Sequence, residues 1–305
     1  MTRAHIEEFR CAIAATGLTV PDVVVDDGLL HKFSTNGRPS DRAGWYVLHA
    51  DAIPAGVFGC WRSLPTTSWC AKADTAMTPA ELSAHRQRIQ AMRAQRDADE
   101  ADRLKSEANK AAARWKAAAP ADPSHAYLAR KRVQAHGIRQ DGSMLLVPLR
   151  DTNSALHSLQ TITADGDKRF KGRMKGCYHA IGKTNGRWLL IVEGYATAAT
   201  VFEATGLPVA VAFNADNLMA VALALHRAYP ALALVLCADD DWLTEGNPGV
   251  TKARQAAMAV GGVVVVPQFP AGRPATATDF NDLFLMAGPG AVRACFAELE
   301  GFYAD

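Results

Sequence analysis

The order of apolar and polar residues changes along the chain, and the most regular pattern lies in its last third. Residues 188–305 contain near-continuous runs of Val, Leu, Ile and Ala, in WLLIVEG, PVAVAFN, ALALVLCADDD and GGVVVVPQF, separated by segments of helical length. Strands of this kind, alternating with helices, are typical of a parallel sheet that is covered on both faces. We therefore predict an α/β domain over residues 188–305.

Residues 1–77 have a different pattern. An amphipathic helix pattern, IEEFRCAIAATG, precedes short alternating runs that are separated by glycine-rich turn signals. This predicts a small α+β domain that contains a β-meander. Its aromatic residues could stack on single-stranded nucleic acid as a template-recognition module, or they could simply fill a small core. They are Phe33, Trp45, Tyr46, Phe58, Trp61 and Trp69, and they are interspersed with Arg38, Arg42 and Arg62.

Two further segments connect these regions. Residues 78–120 are rich in Ala, Arg, Lys and Glu, and they begin with Thr78, Pro79 and Glu81, which favour a helix start. We predict a long solvated helical linker there, without chemistry of its own. Residues 121–187 read as a short basic helix followed by strands and turns, which predicts a small mixed α+β subdomain. The chain as a whole is thus expected to be mixed α+β.

Charge divides the C-terminal region into two parts. Residues 121–187 hold twelve Lys and Arg against five Asp and Glu, a net charge of +7, whereas residues 188–305 hold five against twelve, a net charge of −7. A basic region beside an acidic one suits a polyanion on one side and metal cations on the other. Two separately solvated surfaces would give the same count.

Several classes of protein are not supported by the sequence. The N-terminal stretch fits neither a signal peptide nor a membrane span, so we expect a cytoplasmic protein. The six cysteines form no C-x-x-C pair, and a zinc site from His31, His49, Cys60 and Cys70 would have irregular spacing. No G-x-x-x-x-G-K-[ST] phosphate loop is present, so an ATP-driven motor is not encoded.

Acidic side chains follow the predicted strands at the points where the strands end. Glu193 follows WLLIV, Asp239 to Asp241 follow LVLCA, and Asp279 lies in TDFND. Ligands gather at the carboxyl ends of parallel strands, and strand alternation would place Asp239 and Asp241 on one side with Asp240 on the other. A cluster of carboxylates without other ligand types favours Mg²⁺ or Mn²⁺. Each acid by itself could equally be an exposed strand end or a capping turn.

The stretches IVEGYATAAT, LCADDDW and TDFNDLF resemble, in residues, order and strand context, the Toprim domain of bacterial-type DNA primases, which topoisomerases share in outline. Residues 125–300 look more specifically like the catalytic core of phage and plasmid primases, often found ahead of a helicase domain. The resemblance implies that Glu193, Asp239 and Asp241 bind the catalytic metals and that Asp279 represents the third motif. Asn281 stands where many relatives have a second aspartate, and Asp282 is a further candidate ligand.

The segment FKGRMKGCY resembles the basic strand of the primase core that touches the template and the incoming nucleotide. This points to Lys171 and Arg173 first, and then to Lys168 and Arg169. The remaining candidates for nucleotide or template binding are Lys175, Asn214 after VAVAF, and Lys252 in EGNPGVTKARQAA, a loop and helix start that suits a phosphate.

The resemblance implies a nucleotidyltransferase that makes short RNA primers on single-stranded DNA in phage or plasmid replication. Ribonucleoside triphosphates would be its substrates, Mg²⁺ or Mn²⁺ its cofactor, and a replicative helicase, separately encoded or fused in relatives, its partner. Two alternatives stay open. One is a Toprim nuclease or topoisomerase-like enzyme, although Tyr195 lies in the glutamate motif and the other tyrosines have no recognisable nucleophile context. The other is a non-catalytic DNA-binding replication module.

Overall fold

The computed structural model describes residues 4–38, 41–50, 53–72, 77–184 and 186–301. The chain divides into two compact units, residues 1–102 and 103–305, and each is described by itself. The division falls inside the predicted linker 78–120. The division of the chain into four predicted segments therefore stays a prediction. Among the described residues, no helix combines the length and the apolar character that crossing a membrane requires.

The first unit contains a four-stranded antiparallel meander, in the order β1-β2-β3-β4, and this confirms the predicted β-meander. Its elements are α1 (Ala4–Ala15), β1 (His31–Phe33), β2 (Gly44–His49), β3 (Ala55–Cys60) and β4 (Leu64–Cys70), followed by the first part of α2 (Pro79–Ala117).

Alternation along β2 sends side chains to both faces of this sheet. Tyr46 and Leu48 pack with Phe9 of α1, whereas Trp45 and Val47 pack with Ile89 and Met92 of α2. Most of the N-terminal aromatic residues are therefore buried in small cores, in agreement with the second of the two interpretations above. Trp61, which is 43% exposed, is the clearest exception.

Helix α2 begins as the sequence predicts. The Thr78 hydroxyl accepts a hydrogen bond from the Glu81 amide (3.3 Å), and the Glu81 carboxylate accepts one from the Thr78 amide (2.7 Å). This capping box satisfies amides that would otherwise lack partners. The helix is not uniformly solvated, however, because Ile89 and Met92 are buried in the first unit and Ala111 is buried in the second.

The second unit contains two five-stranded sheets. The first is antiparallel throughout, in the order β5-β6-β7-β8-β9. Its elements are β5 (Ala119–Pro120), β6 (Arg139–Asp141), β7 (Met144–Arg150), β8 (Leu156–Ile162) and β9 (Lys168–Gly172), with the short helix α3 (Ala126–Lys131) between β5 and β6.

The second sheet has the order β10-β12-β11-β13-β14. Strands β11 (Trp188–Val192), β12 (Val209–Val211), β13 (Ala233–Cys237) and β14 (Val263–Val265) are parallel, as predicted, and β10 (His179–Ile181) adds an antiparallel edge. The helices are α4 (Tyr195–Thr205), α5 (Ala215–Ala228), α6 (Pro248–Val260), α7 (Phe280–Ala294) and α8 (Ala297–Gly301).

Helices cover both faces of the second sheet because its strands are apolar on both sides. Leu190 and Val192 of β11 pack in a core with residues of α4 and α7, whereas Leu189 and Ile191 pack in a core with residues of α5 and α6. The first of these cores also contains apolar residues of β7 and β8. The predicted basic subdomain and the α/β domain therefore share one core.

Candidate functional site

Two neighbouring parallel strands end beside each other and deliver acidic side chains to one place. Strands β11 and β13 pair in register up to Ile191 and Leu236. Glu193 follows directly after β11, and Asp239 follows two residues after the end of β13. The sheet thus brings together carboxyl groups that are 46 positions apart in the sequence.

The electrostatics of these carboxyl groups show that they are close and poorly hydrated. Burial, followed by the charge of Asp241, raises the pKa of Glu193 to about 7. Burial raises the pKa of Asp239 well above its usual range, and the charges of Glu193, Asp279 and Asp241 raise it further. One oxygen of each carboxyl, Oε1 of Glu193 and Oδ1 of Asp239, is buried without a hydrogen-bond partner. Buried acceptors that repel each other in this way are stabilised by a cation.

Asp241 is held by the start of α6. Its Oδ2 accepts a hydrogen bond from the Gly249 amide (3.2 Å), and its own amide donates to Oδ1 of Asn247 (3.0 Å). A Cβ atom at Gly249 would lie within 3.0 Å of the Asp239 carbonyl oxygen and 3.1 Å from Oδ2 of Asp241. The close approach of α6 to the aspartates therefore requires glycine at this position. In the sequence, the only signal for a special role of Gly249 is the N-P-G run at the helix start.

Asp240 has a different role from its two neighbours. Its carboxylate accepts hydrogen bonds from Arg273 (Nη1–Oδ2, 2.5 Å) and from Asn247 (Nδ2–Oδ1, 2.6 Å). Arg273 also donates to the Asp240 carbonyl (2.7 Å), and its guanidinium lies 4.0 Å from the centroid of the Phe269 ring. Asp240 is thus bonded to Arg273 and Asn247, whereas Asp241 is bonded to the start of α6. The physical reason for this difference is the ion pair, because β13 has already ended at Cys237 and strand alternation does not apply.

Asp279 and Asp282 form the N-terminal cap of α7. Oδ1 of Asp279 accepts from the Asp282 amide (2.8 Å), and Oδ2 of Asp282 accepts from the Thr278 amide (2.9 Å). Burial raises the pKa of Asp279, and the charge of Asp282 raises it further. Asp279 also raises the pKa of Asp239 and therefore belongs to the acidic cluster, whereas Asp282 is committed to the cap.

The side-chain amide nitrogen of Asn281 is used within the core, whereas its Oδ1 is buried without a hydrogen-bond partner. The residue is fully buried, and its Nδ2 donates to the Lys131 carbonyl (2.8 Å) and to Oγ1 of Thr200 (2.8 Å). Its amide ties α7 to α3 and α4, which is a structural function.

Lys168 reaches from the antiparallel sheet to the acidic cluster. Its Nζ is 3.7 Å from the position that a Cβ at Gly194 would take, beside Glu193. Much of the Lys168 surface is exposed, but protein atoms surround its amino group. This burial lowers the pKa of Lys168, whereas the charges of Asp279, Asp239 and Glu193 raise it. A second lysine, Lys131 of α3, lies 3.8 Å from Oδ1 of Asp282. In the sequence, Lys131 is visible only as part of a short basic helix and not as a site residue.

The other predicted basic residues do not join Lys168. Arg169 and Lys171 pair across the sheet with Thr161 and Leu159, and alternation along β9 places them on the face opposite to Lys168. Arg173 and Lys175 follow β9 and are exposed; Nε of Arg173 donates to the Lys175 carbonyl (3.4 Å). Basic residues that are neighbours in the sequence therefore lie on different faces of the sheet or beyond its last strand. Their roles in nucleotide or template binding stay predictions.

Asn214 and Lys252 lie on the α5–α6 side of the cluster. The Asn214 side chain caps α5 by accepting from the Asn217 amide (2.9 Å). Nζ of Lys252 pairs with Asp216 (2.6 Å), and its charge lowers the pKa of Glu193. Lys252 is thus near enough to act on an anion at the cluster. The Oδ1 atom of Asn214, in contrast, is already bonded to the Asn217 amide.

The acidic cluster fits a hard divalent cation, although its geometry is open. Within the described parts of the chain, no group of three or more His, Cys, Asp or Glu side chains is arranged so that it could hold a metal ion. The same finding applies to His31, His49, Cys60 and Cys70, the zinc ligands considered for the N-terminal unit. Mg²⁺ does not need three protein ligands, because it keeps several waters and is commonly bound by one or two carboxylates and the phosphates of a substrate. The two unpartnered oxygens of Glu193 and Asp239 meet that requirement.

Tyr195 cannot serve as an exposed nucleophile. It is fully buried, its hydroxyl donates to the Gln134 carbonyl (2.9 Å), and the hydroxyl accepts from the His136 amide (2.7 Å). Burial raises the pKa of its phenol far above the usual range. This geometry removes the tyrosine of the glutamate motif from any topoisomerase-like mechanism.

Comparisons with known proteins confirm the resemblance to the Toprim domain. Residues 188–290 match the family described as Toprim domain. Two curated Escherichia coli proteins named DNA primase TraC are 35% and 32% identical to this chain, over 88% and 86% of its length. The chain spans only 27% and 19% of the length of these relatives.

Comparison with solved structures gives matches of lower similarity. The primase fragment of the bacteriophage T7 primase-helicase protein is 18% identical, with a TM-score of 0.44 over 55% of this chain and 72% of that one. The zinc-binding and RNA polymerase domains of the Aquifex aeolicus primase are 11% identical, with a TM-score of 0.44 over 96% of this chain and 85% of that one.

Proposed function

We propose that this chain is the catalytic region of a DNA primase, a nucleotidyltransferase that joins ribonucleotides into short primers on single-stranded DNA. The observation that carries the proposal is the half-buried cluster of Glu193, Asp239 and Asp241, in which one oxygen each of Glu193 and Asp239 is buried without a partner, with the amino group of Lys168 beside it. The similarity to curated DNA primases over 88% of the chain supports the same activity.

The residues of the cluster have distinct roles in this proposal. Glu193, Asp239 and Asp241 would hold Mg²⁺ or Mn²⁺, with Asp279 as the further candidate ligand. When bound, such ions stabilise the attacking 3′-oxygen and the leaving phosphate oxygen of nucleotidyl transfer.

Lys168 is placed to neutralise the phosphates of a nucleoside triphosphate. Its amino group lies among carboxylates that a metal ion would neutralise, so that the lysine charge would then be available to an anion. Lys252, on the other side of Glu193, is the second candidate for this role. The resemblance to phage and plasmid primases supports a replicative helicase as partner, and phage or plasmid replication in the cytoplasm as the setting.

The proposal is tested by primer synthesis with the purified chain. Labelled ribonucleotides, a panel of short single-stranded templates and either Mg²⁺ or Mn²⁺ should yield short RNA products. Asp239→Asn should reduce synthesis at least about 100-fold, because it removes a charged group at the reacting phosphate. Glu245→Gln is the matched control, since Glu245 is an exposed acid six positions away.

A second readout does not depend on activity. Without metal, Asp239→Asn should melt at a higher temperature than the wild type, because it removes a buried charge that its neighbours repel. Mn²⁺ should raise the melting temperature of the wild type and not that of Asp239→Asn. If no template yields primers with either metal, or if Asp239→Asn is fully active, the proposal is wrong. Cleavage of DNA without nucleotides would favour the nuclease alternative instead.

A further inference from the structure

Arg273 lies in the loop between β14 and α7, and it makes more polar contacts than one ion pair needs. Its Nη1 donates to Oδ2 of Asp240, its Nη2 to the Asp240 carbonyl oxygen (2.7 Å) and its Nε to the Ala277 carbonyl oxygen (2.8 Å). The first two bonds hold the aspartate turn, residues 239–241, and the third holds the loop that ends at Asp279. One guanidinium therefore joins two segments that supply acids to the cluster.

Two aromatic rings cover this guanidinium. Its carbon lies 4.0 Å from the centroid of the Phe269 ring and 5.2 Å from the centroid of the Trp242 ring. The side chain of Arg273 is 16% exposed, and that of Asp240 is 18% exposed. Hydrogen bonds that are shielded from water are electrostatically stronger, and the planar fork of an arginine fixes direction as well as distance. The pair is therefore a rigid connection between the two segments.

A backbone hydrogen bond connects the same two segments directly. The Asp240 amide donates to the Thr278 carbonyl oxygen (2.8 Å). Asp240 follows Asp239 in the sequence, and Thr278 precedes Asp279, so the bonded residues are the immediate neighbours of two acids of the cluster. The separation of Asp239 from Asp279 therefore depends on how the aspartate turn is held against this loop.

The two acids themselves oppose this arrangement. The charge of Asp279 disfavours the charged form of Asp239, whose Oδ1 is buried without a hydrogen-bond partner. Carboxylates that repel each other favour separation of the segments that carry them, unless a cation neutralises the charge. Arg273 is bonded to both segments and therefore opposes their separation in the metal-free protein.

We propose that Arg273 is a positioning residue, which holds Asp239 and Asp279 close together for a divalent cation before the cation binds. In this role it acts through Asp240 and Ala277 and not as a ligand of the cation. Without Arg273, the competent arrangement would be less populated, and the apparent affinity for the cation would fall in proportion. The middle acid of the aspartate run would thus anchor the other two. This inference rests on the proposed function, because it needs a metal site at the cluster.

Binding of Mn²⁺ to the full chain, without nucleotides or DNA, tests this role. Side chains that orient metal ligands typically contribute about 10- to 100-fold to metal affinity. Arg273→Gln should therefore bind Mn²⁺ at least about tenfold more weakly than the wild type, as measured by electron paramagnetic resonance of free Mn²⁺. Arg273→Lys keeps the positive charge but cannot form the fork, and it should be weakened as well.

The matched control is Arg254→Gln, which removes an exposed arginine of α6 and should bind Mn²⁺ within about twofold of the wild type. Wild-type affinity of Arg273→Gln would overturn the proposal. Wild-type affinity of Arg273→Lys would overturn it too, because a positive charge alone would then be sufficient.

Hydrogen exchange separates a loss of positioning from a loss of folding. In Arg273→Gln without metal, residues 238–242 and 277–280 should exchange faster than in the wild type, because the Asp240 amide is bonded to Thr278. Strand β11 should keep its protection, and saturating Mn²⁺ should restore slow exchange. Unchanged exchange of both segments, or faster exchange of the whole second unit that Mn²⁺ does not reverse, would contradict the proposal.

A double variant makes these tests independent of the folding of Arg273→Gln. Asp240→Asn combined with Arg273→Gln leaves neither charge buried without its partner. It lacks the same fork and should therefore show the same loss of Mn²⁺ affinity and the same faster exchange. Wild-type behaviour of the double variant in both measurements would also refute the positioning role.

Primer synthesis distinguishes this proposal from the proposed function. Arg273→Gln should need at least about tenfold more Mn²⁺ for half-maximal synthesis and should approach the wild-type rate at saturating Mn²⁺, because the cation then completes the ordering. If Arg273→Gln has the Mn²⁺ dependence of the wild type while Asp239→Asn is inactive, the positioning proposal alone is wrong. If Arg273→Gln loses Mn²⁺ affinity as expected and the wild type makes no primer, the proposed catalytic function alone is wrong.

Discussion

Substitution of Gly249 by alanine tests whether the start of α6 sets the position of Asp239 and Asp241, the proposed metal ligands. The added Cβ would lie within 3.0 Å of the Asp239 carbonyl oxygen and 3.1 Å from Oδ2 of Asp241. Ordinary carbon contacts are about 3.5–4.0 Å, so the helix and the aspartate turn must separate by roughly 1 Å. A misplacement of about 1 Å can reduce the rate about 100-fold, and we expect a loss of primer synthesis of that size.

The effect of Gly249→Ala on stability should be smaller than its effect on activity. Overpacking costs about 1–3 kcal/mol, and the better helix propensity of alanine offsets up to about 1 kcal/mol. Urea unfolding should therefore show a loss of about 0–2 kcal/mol. Gly290→Ala is the matched control, because nothing lies within 4 Å of a Cβ at that position in α7. Full activity of Gly249→Ala, with unchanged stabilisation by Mn²⁺, would refute this account of the site.

Two further predictions concern stability. Asp240→Asn should lower the free energy of unfolding by about 3 kcal/mol, because it leaves the mostly buried guanidinium of Arg273 without its charged partner; an unchanged urea midpoint would contradict the structural role of this pair. His179 is buried, and its Nε2 donates a hydrogen bond to the His136 carbonyl (2.8 Å). Burial lowers the pKa of His179 from 6.5 to about 4, and the nearby charges of Arg150 and His136 contribute to the shift. The unfolded chain then binds the extra proton first, so stability should fall as the pH drops from about 6.5 to about 4, by at most about 3 kcal/mol. His179→Gln should remove this part of the pH dependence, and identical pH profiles of the two proteins would contradict it.

The architecture of the second unit could be predicted because each of its elements has a local signal. The runs WLLIV, VAV and ALVLC are apolar on both sides and became β11, β12 and β13 of the parallel sheet. The convergence of Glu193 and Asp239 followed from topology, since neighbouring parallel strands end at one edge. The antiparallel edge β10 was not predicted, because three residues, HAI, carry too little pattern to identify their partner strand.

The functions of individual charged residues were harder to predict, because they depend on contacts between distant segments. Asp240 and Asp241 are adjacent acids, yet Arg273, 33 residues away, fixes the first, and Asn247 and Gly249 fix the second. Asp282 looked like a metal ligand in the sequence, whereas in the fold its carboxylate caps α7.

The sequence by itself determined the order of helices and strands, the start of α2 at Thr78 and the presence of acids at the strand ends, because hydrophobic periodicity and capping are local. Only the tertiary structure decided how the basic run Lys168 to Lys171 is used. Successive side chains of a strand point to opposite faces, and which face meets the acids and which meets α2 depends on how that strand packs. One charged segment therefore supplies Lys168 to the acidic cluster and Arg169 and Lys171 to the face that α2 approaches.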